Sequence, residues 1–189
     1  MTIKKLESYS LIFVTIALII NFITVLPFGN TLVAFGLTTP ATIYLICSMV
    51  AYDANGNPMN NPPDKKTFRF ENFVNITFSV FMIGTLFTIQ YWPNASFFMD
   101  VAMAGLVISL AVIIFKRSNG KPYSAALAKR MAVYLCLAVV LAVLPRFTLL
   151  DIKYRSQPAY LNALKNSIQH PGDTALQHKV NQEREKINK

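Results

Sequence analysis

The chain has 189 residues, 53% hydrophobic and 14% charged, with a net charge of +9 and a mean hydropathy of +0.40. Soluble domains carry about 25% charged residues, and the apolar runs here are too long and unbroken for amphipathic core helices, so one ordinary soluble domain is excluded. The positive charge does not signal nucleic acid, because most of it flanks the apolar runs, where Lys and Arg act as orientation signals.

Met1–Ser8 is a short polar start carrying Lys4, Lys5 and Glu7. The first predicted span is Tyr9–Leu26, an uncleaved anchor because no small-x-small cleavage pattern follows it. Asn21 is polar within it, and helix–helix hydrogen bonding is the default role for such a residue. The second span is 31–52. Pro40 lies near its middle, where it is expected to kink the helix, with Thr38 and Thr39 able to satisfy the carbonyls that the proline frees. The polar connection 53–72 is rich in Asn and Pro. Its acidic and amide residues fall near a calcium-loop template, but Pro58 stands where that loop requires the sharp turn of Gly.

The third and fourth spans, 73–91 and 97–115, form the clearest unit. At ~1.5 Å rise per residue each reaches ~28 Å, close to the ~30 Å hydrocarbon thickness of a bilayer. In lipid a single segment satisfies its backbone polar groups only as a helix. The link Trp92-Pro93-Asn94-Ala95-Ser96 closes the hairpin, with Tyr91 and Trp92 at the interface that aromatic rings favour. After a basic turn, Tyr123–Arg130 is expected to begin an interfacial helix. A fifth span covers 131–150, interrupted by Pro145 and Arg146. Cys47 and Cys136, both within predicted spans, read as packing residues, since neither has a partner at ligand spacing.

Residues 1–150 thus read as a transmembrane bundle and 151–189 as a polar, helical tail. In the tail Leu161, Leu164 and Ile168 share one helical face, His170-Pro171-Gly172 stops that helix, and Asp173 or Thr174 caps a second one with a Leu176/Val180/Ile187 stripe. Stripes this thin cannot form a core alone, so they are expected to dock on something or stay partly disordered. Orientation follows from the connections. Lys4, Lys5, Lys65, Lys66, Arg69, Lys116, Arg117, Lys121, Lys129 and Arg130 lie on one side, and the links 27–30 and 92–96 hold no Lys or Arg. The fold is therefore expected to be all-α and polytopic, with about five spans, the N-terminus in the cytoplasm and the tail outside.

Ionisable or polar residues at membrane depth are the default functional candidates. Here they are Asp100, Asn21 and Gln90, with Asn75 and Thr77 also able to line a cavity, and Pro40 is a further candidate because such a kink can mark a transport site. Asp100 lies one turn below the outer end of the fourth span, which favours an ion pair at the rim, with Arg146, over a proton relay. Gly105/Ser109 and Ala138/Ala142 form small-x-x-x-small seams that permit close helix contact. His170 and His178 read as solvent-exposed. No phosphate loop, nucleophile elbow, zinc motif or Cys-x-x-Cys is present, so neither catalysis nor a cofactor is expected.

The stretch Gly84-Thr85-Leu86-Phe87-Thr88-Ile89-Gln90-Tyr91-Trp92-Pro93-Asn94-Ala95 resembles the N-terminal two-span hairpin of the inner-membrane L protein of the gliding-motility and type IX secretion motor. That family has a Gly, a Leu or Phe, an Ile, Trp-Pro and an Ala at these offsets, and the resemblance covers 73–116. It implies a proton-driven motor with an acidic residue deep in the second span. Here Gly105–Val112 is uncharged, so the resemblance implies hairpin ancestry and not the motor mechanism. The expected function is a subunit or scaffold of a membrane complex in a bacterial cytoplasmic membrane, with Leu161, Leu164, Ile168, Leu176 and Val180 binding a protein partner or a second copy. A small transporter or channel is the alternative.

Overall fold

The computed structural model describes residues 3–23, 29–52, 58–59, 65–92, 94–118, 125–145, 147–170 and 172–187. Among these the order is α1 (Ile3–Ile23), α2 (Gly29–Met49), β1 (Ala51–Tyr52), β2 (Pro58–Met59), α3 (Lys65–Gln90), α4 (Ala95–Ser118), α5 (Ala125–Val143), α6 (Thr148–Lys153), α7 (Pro158–Gln169) and α8 (Thr174–Ile187). Helices carry the fold. The single ladder is two residues long, pairing Ala51 with Met59 and Tyr52 with Pro58. Most of the 53–64 loop, Arg146 and the basic turn 119–124 lie outside the described residues.

The helices run past the apolar segments. α1 begins at Ile3 rather than Tyr9, α3 at Lys65 rather than Phe73, and α4 continues to Ser118. An apolar run marks where lipid ends, whereas a helix continues through Lys, Glu and Arg until a breaker stops it. The fifth helix is displaced from its expected 131–150. It starts at Ala125, taking in the segment expected along the interface, and stops at Val143. Pro145 lacks an N–H and its ring would clash with the carbonyl four residues back, so the chain breaks there and restarts as α6.

Each helix from α1 to α5 packs on the next, α3 also meets α5, and α1 meets α6. The core joins Val33, Leu37, Ala41 and Tyr44 of α2 to Val74, Phe78, Phe81, Met82 and Leu86 of α3. Met99, Ala102, Leu106 and Ile113 of α4, Met131, Tyr134 and Ala138 of α5, and Val14 of α1 complete it. Large apolar side chains also point outward along each helix from α1 to α5, Ile12, Phe35, Ile76, Ile114 and Val140 among them. Such a display suits a hydrocarbon solvent. Among the described residues three helices, Gly29–Met49, Arg69–Gln90 and Ala95–Lys116, are long and apolar enough to cross a membrane. The protein is membrane-integral and helical.

The α3–α4 hairpin is tight because two glycines let the helices approach closely. A Cβ on Gly84 would lie 3.2 Å from the backbone of Phe98 and Met99, and one on Gly105 would lie 2.7 Å from Thr77 Oγ1. The link opens with a Schellman turn. The Trp92 N–H donates to the Phe87 carbonyl at 3.0 Å and the Tyr91 N–H to that of Thr88 at 3.4 Å. Tyr91 sits at φ 57° and Asn94 at φ 62°. Left-handed backbone suits Asn but is costly for Tyr, so side-chain contacts must hold Tyr91 there.

Candidate functional site

Those contacts begin the site. The Tyr91 hydroxyl accepts the Leu150 N–H at 3.2 Å, and its ring stacks on Phe147, with centroids 6.2 Å apart. The first turn of α6 is thereby fastened to the end of α3. At the other end of α6, Lys153 Nζ donates to Asn21 Oδ1 and to Asn30 Oδ1, each at 2.6 Å. Gln90 Nε2 donates to the Asn30 carbonyl at 2.8 Å. Four polar residues from the end of α1, the start of α2, the end of α3 and the end of α6 therefore form one chain. Asn21 is 1% exposed. Among the described residues the Lys153 ammonium has amide oxygens and no carboxylate within ion-pair distance. Burial lowers its pKa from the ordinary 10.5 to about 8.

Beside this chain lies a cavity of about 800 Å³. Its walls are the α3–α4 link, with Tyr91, Trp92 and Asn94; Asp100 and Met99 of α4; Leu141 and Ala142 of α5; and Ser167, Ile168 and Gln177 from α7 and α8. Asp100 is exposed to this space. Its expected partner Arg146 is outside the described residues, and no described cation pairs with it.

The tail closes over the cavity as a helical hairpin. Asp173 caps α8, its Oδ1 accepting the N–H groups of Ala175 and Leu176 at 2.9 and 3.3 Å. α7 packs on α8. Lys165 of α7 pairs with Asp151 of α6, and Tyr160 meets Tyr154 edge-on at 4.9 Å. Leu161, Leu164, Ile168, Leu176 and Val180 all remain half-buried after this pairing. His170 and His178 are exposed.

The opposite end of the bundle holds a second cluster. Glu7 Oε1 accepts from the Tyr44 hydroxyl at 2.8 Å and pairs with Arg130 Nη1 at 2.8 Å, and the Tyr44 and Tyr134 hydroxyls are 2.9 Å apart. Phe78 lies between the two tyrosine rings, at 5.2 and 4.8 Å. This cluster ties α1, α2 and α5 around α3. Sequence reasoning missed it, because Glu7 and Arg130 read as flank charges and the tyrosines as apolar span residues. The available signal was one acidic residue, Glu7, in an otherwise basic start.

The other candidates separate. Pro40 is fully buried in the middle of α2, remote from both ends. Thr38 and Thr39 do not serve its freed carbonyl; they bond back to Ala34 and Phe35, at 2.8 and 2.7 Å. Asn75 donates to the Cys47 carbonyl at 3.3 Å and Thr77 to that of Phe73 at 2.9 Å, so both hold helices rather than line a cavity. Gly105 and Ser109 are buried, and the Ser109 hydroxyl has no hydrogen-bond partner among the described residues. Ala138 is buried, but Ala142 is exposed at the cavity because the bundle opens there, so the α5 seam does not extend as one contact. No protein-family model, curated protein or solved structure matches this chain.

Proposed function

We propose that this protein is a non-catalytic subunit or scaffold of a membrane complex, with five spans, the N-terminus inside and α6–α8 outside. The observation that carries the reading is the α7–α8 hairpin. It is anchored on the bundle through Lys153, Tyr91 and Asp151, yet Leu161, Leu164, Ile168, Leu176 and Val180 stay half-buried. A fixed hairpin with incompletely covered apolar side chains is preorganised to receive a protein partner or a second copy, which lowers the ordering cost of binding. The five-span topology draws support from the ends of α1 and α5. α1 meets Arg130 at one end and Lys153 at the other, so the chain from 130 to 153 runs the length of the bundle. With the basic flanks inside, a bacterial cytoplasmic membrane is the proposed location.

The experiment is co-purification of the full chain in mild detergent. Leu176→Glu with Val180→Glu should release the partner or dissociate the oligomer while membrane insertion stays unchanged. Retention of the same partner by this variant would end the reading. A transporter is the second reading, favoured by the convergence of Asn21 and Gln90 on Lys153. Against it, polar clusters lie at the two ends, while Leu37 and Leu106 fill the middle. Ion flux from liposomes containing only this chain would reverse the order of the two.

A further inference from the structure

The cavity beside Asp100 has features that the scaffold reading does not use. Its volume of about 800 Å³ is within the size of small-molecule sites, roughly 300–1,000 Å³. Asp100 supplies a carboxylate with no paired cation among the described residues, while Asp151, the acid of nearby α6, is paired with Lys165. Tyr91 and Trp92 add aromatic rings to the lining, and such rings attract cations. Met99, Leu141, Leu144 and Leu149 add apolar side chains to the same wall. Val101 and Val140, next in the chain to Asp100 and Leu141, are exposed and add apolar surface to α4 and α5 beside the cavity. One space therefore offers an anion and aromatic rings to a cationic head, and an apolar flank that opens toward acyl chains.

We propose that this cavity binds the ammonium headgroup of an aminophospholipid, with the ammonium on Asp100 and the chains lying along α4 and α5. The proposal is independent of whether α7–α8 binds a protein. It also gives α7 and α8 a role at the lipid, because Ser167 and Gln177 line the same cavity.

Trp92 is the sole tryptophan, so its emission reports on the cavity directly. The full chain in neutral detergent would be titrated with phosphatidylethanolamine, phosphatidylglycerol of the same acyl chains, and free ethanolamine. The expected result is a saturable change with phosphatidylethanolamine alone, weakened about tenfold in Asp100→Asn. Ala142→Phe leaves the carboxylate in place and fills the cavity, and it should abolish the response without changing the melting temperature. An equal response to phosphatidylglycerol, or unchanged affinity in Asp100→Asn, overturns the ammonium assignment. Half-saturation by free ethanolamine at the same concentration as the lipid overturns the lipid assignment.

Discussion

Gly105 shows how one missing methyl group shapes this molecule. A Cβ there would meet Thr77 Oγ1 at 2.7 Å and Cγ2 at 2.8 Å, and neither atom can retreat while Thr77 bonds the Phe73 carbonyl. Gly105→Ala should therefore force α4 away from α3, at a cost of about 1–3 kcal/mol typical of overpacking. Thr77→Ala removes both clashing atoms, so the double variant should recover most of the loss. Melting in detergent, arranged as a double-mutant cycle, measures the coupling; additive losses would show that the contact is not the cause. Lys153 is the other residue whose surroundings dictate its behaviour. Its folded pKa of about 8 lies below the unfolded 10.5, so between those values the unfolded chain binds more protons. By linkage its contribution to stability is least below about pH 8 and rises toward pH 10.5. The protection factors of the α6 amides, corrected for base-catalysed intrinsic exchange, should rise over that window, and Lys153→Met should remove the trend.

At the scale of elements, α1 shows why end contacts matter. Its outward face is apolar along its length, with Ile12, Phe13, Ile16 and Ile19 exposed, and lipid gives no preference for one helix neighbour over another. Position along the bundle is then set by polar groups at the two ends: Glu7 with Tyr44 and Arg130, and Asn21 with Lys153. Tyr44→Phe removes the hydroxyl that bridges Glu7 and Tyr134. We expect a loss of about 1 kcal/mol, the usual net worth of one hydrogen bond, in the thermal stability of the purified protein. Protease cleavage near the start of α1 should also become faster. No change in either measurement would mean that the cluster does not fix the position of α1.

For the whole molecule the decisive quantity is the number of crossings. Fusions carrying a reporter active only in the cytoplasm should work at Asn119 and fail at Lys189, because the basic flanks of 65–69 and 116–130 retain one side inside. Activity at Lys189 would mean that α5 does not cross. The break at Pro145 makes this the informative position: α5 has 19 residues, of which the first turns carry Lys129 and Arg130, so its apolar part is the shortest of the five helices.

The membrane character, the helical class, the α3–α4 hairpin and the cap of α8 were legible in the residues alone. Each depends on local chemistry: uninterrupted apolar length, a proline link, and an Asp ahead of a helix. Helix ends were less legible, as α3 and α5 show, because hydropathy records lipid depth while backbone hydrogen bonding records helix length. What only the tertiary structure decided were the two polar ends. Asn21, Asn30, Gln90 and Lys153 are scattered along the chain, as are Glu7, Tyr44, Arg130 and Tyr134. No periodicity links such positions. They meet because close packing at Gly84, Gly105 and Phe78 sets how the helices stack, and a buried donor then has to find whichever acceptor that stacking brings within 3 Å.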